Sequence, residues 1–527
     1  MKEQVALKLK EIYGKDFLLE NPKDRNLAHF AMPCFMMAKE LKKSPNIIAQ
    51  ELSDELNSKK LDCFESIENV GGYVNFKLSA DYLDLLTNKA LADEVNFAKG
   101  DKKEKTFLLE YISANPTGPL HIGHARGAVY GDSLKRVARH LGYKFDTEYY
   151  VNDAGNQIAL LGTSIALAIE DNILDLDPMY PESYYRGEYM DELAKYFYDK
   201  YKDDYKNNLE TISKEAKDIV LNEIKKTLKS CGIEIDSYVY ETAYLNKLDA
   251  TLEEIKKAGG LYKKDGKVYV ASSKYGDDSD RVVIKEDGKG TYLACDIVYH
   301  KDKLSRGYSQ NINIWGADHH GYIARVKAAL RFLGFDDEKL EVILAQMVSL
   351  LKDGKPFKMS KRAGTSILMS DIIDEIGKDA LRFMFLSKKC DSQFEFDLSD
   401  VKKEDSSNPV FYINYAYARI NQVFAKSSFS KEEVKAVKIE HISQNAKNLL
   451  FESLILEDVL NDAFNTRSLN KICDYLKSLS SSFHRLYNEE KIVGNEYEKE
   501  YLKLFLMVSL TIKTAFNLIG VDAKETM

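Results

Sequence analysis

The sequence predicts an α/β chain built around a parallel sheet. Two observations carry that prediction. The first is a short apolar run, TFLLEYI at 106–112, followed by a glycine-bearing turn, an amphipathic helical stretch and a second strand-like run. The second is a recurrence of the same step two hundred residues later, where NINIWGAD leads into HHGYIARVKAALRFLG. Short apolar runs that alternate with helices are the mark of strands buried on both faces of a parallel sheet. At 527 residues the chain is long enough for three to four domains of about 150 residues, with ample core and no need for disulfide or metal staples.

The elements follow in order. Residues 1–98 read as a small α+β domain. Helical spacing runs through VALKLKEIYG, Ser44-Pro45 opens a second helix over NIIAQELSDELN, and Gly71-Gly72 precedes a strand, YVNFKL. The polar segment KGDKKEK reads as a linker. In residues 99–390, a helix from about His121 to Leu141, stopped by Gly142, connects TFLLEYI to KFDTEYYV and completes a βαβ unit. This is the signature of a Rossmann-like sheet. Residues 151–260 are helical, rich in tyrosine and acidic, and an insertion is expected over about 165–262. LYKKDGKVYVASS, DRVVIKED and TYLACDIVYH then read as strands. Residues 391–527 read as an all-α bundle, with FYINYAYARINQVF and EYLKLFLMVSLTIKTAFNLIG its strongest helices.

Composition narrows the classes. Six well-separated cysteines without a C-x-x-C pair argue against a zinc ribbon and against a disulfide framework. No apolar run of about 18 residues is read in the chain, so no transmembrane helix is expected. The amino terminus lacks a signal peptide's apolar stretch, which points to the cytoplasm. The net charge of −8 speaks against nucleic-acid binding through overall charge. Its distribution does not, because residues 151–260 hold 13 Lys/Arg against 22 Asp/Glu, and the rest of the chain is nearly balanced.

Two motifs carry chemistry. Pro119-Leu120-His121-Ile122-Gly123-His124 falls at a strand-to-helix turn, where backbone N–H groups and the helix dipole favour a phosphate. Gly123 lets a flat base approach the backbone, and His121 and His124 share one helical face. A metal pair or two surface histidines is the alternative. Lys358-Met359-Ser360-Lys361-Arg362 lies in KDGKPFKMSKRAGT, where residues 352–362 hold five cations and one acid. Such a loop can close over a triphosphate, and a solvated basic loop is the alternative.

HIGH and KMSK together, across a Rossmann-like sheet, resemble the class I aminoacyl-tRNA synthetases. The flanks resemble the arginyl-tRNA synthetase family: LLEYISANPTGPLHIGHARGAVYGD, YVNDAGNQI, TYLACDIVYH, WGADHHGYIARVKAAL, GKDALRFMFLSKK, NPVFYINYAYARI and GGYVNFKL, covering essentially the whole chain. Arg362 departs from the serine of the class pattern.

The resemblance implies ATP-dependent activation of L-arginine to arginyl-adenylate, with Mg2+, then transfer to the 2′-hydroxyl of the terminal adenosine of tRNA(Arg). Activation would need bound tRNA. His121, His124, Lys358 and Lys361 would be catalytic. Pro119, His121, Gly123, His124, Asp318, His320, Met359, Ser360 and Lys361 would bind ATP. Arginine, a permanently charged planar cation, requires carboxylates and acceptors. Glu110, Ser113, Asn115, His121, Tyr292, Asp296 and Asp318 are the expected set. Asn152 and Asp153 are further candidates, with helix or turn capping as the alternative.

Tyr412, Tyr415 and Tyr417 offer faces for tRNA bases, with helix core as the alternative. The helical domain would meet the anticodon arm and the amino-terminal domain the outer corner of the tRNA. No resident metal site and no membrane contact are expected, and the protein would be a monomer. Other class I synthetases, a silent tRNA-binding paralogue and a small-molecule nucleotidyltransferase are the competing readings.

Overall fold

The computed structural model describes residues 1–14, 16–22, 25, 27–357 and 367–527. They fall into two compact units: Lys102–Lys402, and Met1–Asp101 together with Lys403–Met527.

The first unit is built on a five-stranded, all-parallel sheet. Its strands in chain order are β1 (Thr106–Glu110), β2 (Lys144–Val151), β3 (Ser237–Tyr240), β4 (Gln310–Gly316) and β5 (Leu340–Ala345). They lie side by side in the order β5-β4-β1-β2-β3. Strand order therefore reverses between β1 and β4, the switch point where open α/β sheets bind ligands. Phe107, Leu108 and Leu109 are all buried, as a strand covered on both faces requires.

Helix α1 (Ile122–His140) follows β1, with His121 as its cap and Leu141 at its end, as the sequence predicts. Gly131 lets it lie close on the sheet, because a Cβ there would drive into the buried Tyr111 ring. One residue further on, Asp132 is fully buried and pairs with the equally buried Arg382 at 2.7 Å. Arg382 also donates to the Cys231 carbonyl at 3.0 Å, and Lys135 and Arg136 pair with the same carboxylate.

Two sequence expectations need correction. TYLACDIVYH is not a strand but the start of helix α2 (Tyr292–Ser305). Leu293, Ala294, Ile297 and Val298 are buried at i, i+1, i+4 and i+5, which is one face of a helix. The stretch 151–260 is not wholly an insertion either. After the helices Asn156–Asn172, Glu188–Tyr201 and Leu209–Ser230, the chain returns to the sheet as β3, paired parallel with β2. Leu261–Lys264, Lys267–Val270 and Arg281–Ile284 are strands as expected, but they form a separate antiparallel sheet.

In the second unit, Phe30–Pro33, Tyr73–Leu78 and Phe64–Val70 make a three-stranded antiparallel sheet. Gly71 and Gly72, both at positive φ, form its two-residue hairpin. Ser44 caps the helix Pro45–Ser58 by accepting from Ile47 N–H. The helices Pro409–Lys426, Gln444–Leu454, Leu456–Asn465, Asn470–Glu489 and Glu498–Ile519 form the bundle. A buried Asp84–Lys503 ion pair at 2.7 Å and the stacking of His29 on Phe451 at 4.2 Å tie the amino-terminal part to the bundle.

Glu498–Ile519 is long and apolar enough to span a membrane, contrary to the reading that no such run exists, but most of it is buried in the bundle. Tyr417 is buried at 5% exposure, so it has no face for a base. Tyr412 and Tyr415 are half-buried against His484, and the Arg419 guanidinium covers Tyr415 at 4.3 Å.

Asp132→Asn leaves the buried Arg382 guanidinium short of its charge partner. It should cost about 3–5 kcal/mol of stability, read as a lower midpoint in urea unfolding of the full chain.

Candidate active site

Three cavities meet over the carboxyl ends of β1, β2 and β4. One, of about 480 Å3, is lined by Glu110, Tyr150, Glu241, Tyr292, Asp296 and Tyr322. A second, of about 680 Å3, is lined by Ser113, His121, Gly123, His124, Asp318 and Met347. A third, of about 780 Å3, is lined by Pro119, Gln157, Tyr184, Arg186, Tyr189 and Leu368. Asn115 lines all three.

The first cavity is rich in acids. Glu110, the last residue of β1, accepts from Lys303 Nζ at 2.9 Å and from Ser113 Oγ at 2.9 Å. Burial alone would raise its carboxyl, but the Lys303 ammonium, His300 and these hydrogen bonds hold it below the usual carboxylate range. Lys303 is itself fully buried and donates to Asn313 Oδ1 at 2.6 Å.

Asp296 lies one turn after Tyr292 on α2 and accepts from Tyr322 O–H at 2.5 Å. Burial pushes its carboxyl up to about 7, against the Tyr322 hydrogen bond and with the help of the Glu110 and Glu241 charges. Glu241 follows β3 directly and is buried, with Oε2 unpartnered among the described residues. Burial raises it too, and the Asp153 charge adds to the effect. Glu110 already has its cation. Asp296 and Glu241 have none at hydrogen-bond distance among the described residues, so this pocket is built for a cation brought from outside.

The second cavity opens on the start of α1. His121 Nδ1 accepts from Gly123 N–H at 3.1 Å, and His124 Nδ1 accepts from His121 N–H at 3.4 Å. This reciprocal cap fixes the tautomer, because a ring nitrogen that accepts carries no proton, so the hydrogen of each neutral ring lies on Nε2. Burial lowers His121, and burial together with the neighbouring His121 brings His124 down to about 4. The rings lie 3.8 Å apart as two neutral Nε2–H donors at a positive helix end. A Cβ at Gly123 would sit 2.9 Å from His121 Cε1, so glycine there keeps the ring in place.

Lys358, Met359, Ser360, Lys361 and Arg362 lie outside the described residues. The segment that follows them is fixed to the histidine turn. Ile122 N–H donates to the Ile367 carbonyl at 2.8 Å, and Met369 N–H to the Leu120 carbonyl at 2.9 Å.

The loop after β1 is strained and then pinned. Ile112 and Ser113 have φ of 72° and 40°, a region that costs a β-branched residue about 1–3 kcal/mol. Tyr150 N–H donates to Ser113 Oγ at 3.1 Å, Tyr149 O–H to the Ala114 carbonyl at 2.7 Å, and Asn152 Nδ2 to Asn115 Oδ1 at 2.6 Å. Asp153 has the bland role, accepting from Thr242 N–H and O–H and so holding the turn that carries Glu241.

Glu110, Ser113, Asn115, Tyr292 and Asp296 thus meet in one cavity, whereas Asp318 lines the second. His320 is exposed and lines none of the three, while its neighbour His319 lines the first two. Sequence reasoning missed Glu241, Tyr322 and Lys303, whereas the cluster Asp318-His319-His320 was expected at the pocket and supplies Asp318 and His319 to it. Glu241, like Glu110, is an acid at the end of a short strand, but its strand falls in the stretch read as helical insertion.

Comparison with known proteins agrees along the whole chain. The family model described as "tRNA synthetases class I (R), catalytic domain" matches residues 86–392. The "DALR anticodon binding domain" matches 413–527 and the "Arginyl tRNA synthetase N terminal domain" matches 1–78. An arginine–tRNA ligase of Campylobacter jejuni is 59% identical over 530 residues, covering 100% of both chains. A solved C. jejuni chain, also 59% identical, superposes with a TM-score of 0.83 over 85% of this chain and 100% of that one. The Thermus thermophilus arginyl-tRNA synthetase, at 20% identity, shares the fold with a TM-score of 0.78 over 100% of this chain and 99% of that one.

The acid pocket makes binding of a guanidinium pH-dependent. Below about 7 the Asp296 carboxyl is protonated in the empty protein, and a bound cation favours the ionised form. Cation binding therefore releases a proton at low pH. Calorimetric affinity for arginine should rise as pH climbs through about 7 and then level off, and Asp296→Asn should remove that slope.

Proposed function

Because the chain belongs to the class I arginyl-tRNA synthetases and is an arginine–tRNA ligase that uses ATP, we propose how its cleft divides the work. The single observation that carries this reading is the acid pocket. Two carboxylates without a cation, Asp296 and Glu241, stand beside a phosphate-ready helix start. The guanidinium enters between Asp296, Glu241 and Glu110, within reach of Tyr292 and Tyr322. The arginine carboxylate then lies near Asn115, and the nucleotide fills the second cavity, with its phosphates at the Nε2–H groups of His121 and His124.

The carboxylate attacks the α-phosphorus, the bond from that phosphorus to the bridging oxygen breaks, and pyrophosphate leaves. No protein nucleophile is needed. Catalysis is positioning and charge stabilisation, in which the neutral histidines donate without contributing a charge of their own. Lys358 and Lys361 would supply positive charge to the departing phosphates. The backbone hydrogen bonds of Ile122 and Met369 support that role, because they hold residues 367 and 369, close behind these lysines in the sequence, at the histidine turn. Among the described residues no group of three His, Cys, Asp or Glu could hold a metal ion. Magnesium would therefore come with the triphosphate.

The 2′-hydroxyl of the terminal adenosine of tRNA(Arg) would receive the acyl group from the direction of the third cavity, where Tyr184, Tyr189 and Arg186 offer stacking and charge. Tyr412 and Tyr415 of the helical bundle would face the anticodon arm. The enzyme would act as a monomer in the cytoplasm.

Arginine-dependent exchange of pyrophosphate into ATP, measured with bulk tRNA present, should be robust, and exchange supported by another amino acid but not by arginine would refute the assignment. Glu241→Gln should raise the arginine KM roughly 100-fold, the scale of a buried charge partner lost, and leave the ATP KM within about threefold.

A further inference from the structure

Asn152 stands at the corner where the first two cavities meet, and it is not a cap. The helix that follows begins after Gly155 and has no side-chain cap. Asn152 lines both cavities, and its Nδ2 donates to Asn115 Oδ1 at 2.6 Å. An amide has one acceptor side and one donor side. With Asn115 Oδ1 engaged by Asn152, Asn115 Nδ2 is turned the other way. It has no hydrogen-bond partner among the described residues, although Asn115 lines all three cavities. The two residues before Asn115 are pinned to β2, Ala114 by Tyr149 O–H and Ser113 by Tyr150 N–H, which leaves the hydrogen bond from Asn152 to set the way the Asn115 amide faces.

We propose that Asn152 is a positioning residue. By holding Asn115 Oδ1, it presents the Asn115 amide hydrogens to the arginine carboxylate, a role that rests on the function given above. One carboxylate oxygen accepts from Asn115 Nδ2. The other is thereby aimed at the α-phosphorus, forms the new P–O bond as pyrophosphate leaves, and leaves the first as the carbonyl oxygen of the adenylate. An Asn115 amide turned the opposite way would put its carbonyl against the carboxylate and repel it.

The test is a comparison of Asn152→Asp, Asn152→Ala, Asn115→Ala and the double alanine variant with the wild type in arginine-dependent pyrophosphate exchange. An ionised carboxylate at position 152 accepts rather than donates, so Asn115 flips. Asn152→Asp should lose about 100-fold in kcat/KM for arginine at pH of about 8, the scale of a misplaced transition-state donor, and Asn152→Ala about 10-fold. The ATP KM should stay unchanged in both.

As pH falls towards about 5, the carboxyl introduced by Asn152→Asp takes up a proton and can donate again, so the rate of that variant relative to wild type should recover by roughly tenfold. The acids and histidines lining the adjoining cavities, Glu110, Glu241, Asp296, Asp318, His121, His124, His300 and His319, with Cys295 and with Asp153 next in the chain, are common to both proteins and divide out of that ratio. The double alanine variant should lose no more than Asn115→Ala alone. Equal losses in the two Asn152 variants with a pH-flat ratio, or additive losses in the alanine cycle, would overturn the proposal even if Asn152→Asp fails to fold. A wild type that exchanges no pyrophosphate with arginine would instead overturn the functional reading beneath it.

Discussion

The site depends on one buried ammonium. Lys303, on α2, is shared between Glu110 at the end of β1 and Asn313 on β4. Glu110 and Asn313 are direct neighbours in the parallel register, so a single cation fastens both strands of the switch point to the helix that covers them. An unpartnered ammonium there would cost several kcal/mol, and Asn313 also donates to His300, fixing that ring as a neutral acceptor at Nε2. With Glu110 neutralised from below, Asp296 and Glu241 are left as acids without a base among the described residues, the feature on which the proposed guanidinium site rests.

The histidine turn follows the opposite logic. Its rings are kept neutral by burial and by their own capping hydrogen bonds, so in the proposed function any attraction for phosphate would come from aligned N–H groups and the helix dipole. The backbone bridge from Leu120 and Ile122 fastens residues 367 and 369 to this turn.

Much of this was legible because the residues concerned sit at strand ends, where pattern and chemistry coincide. β1, the turn, α1 and the carboxylate Glu110 all stand in segments whose period and motif agree. Legibility failed where tertiary burial overrode local pattern. TYLACDIVYH is β-branched and aromatic enough to pass for a strand, and only the spacing of Leu293, Ala294, Ile297 and Val298 marks the helix that places Tyr292 and Asp296 on one face. β3 is four residues long in an acidic helical stretch, too short for a periodic signal, and Glu241 was lost with it. Tyr417 could not be separated from Tyr412 and Tyr415 by type, since burial depends on where the neighbouring helices lie.

Net charge was misleading for a related reason. The acidity of the chain is concentrated in residues 151–260, and most of it is solvated on helices remote in character from the pocket. Three buried acids, Glu110, Asp296 and Glu241, line the first cavity, and what sets the last two apart is the absence of a cation at hydrogen-bond distance among the described residues. Glu148 makes the contrast: it lies beside Glu110 in the sheet register, but Arg306 and Tyr299 satisfy it, so it braces the pocket floor without drawing in a guanidinium. The recognition proposed for this cleft thus rests on which carboxylates the fold leaves unpaired, a property of the sheet's connections rather than of composition.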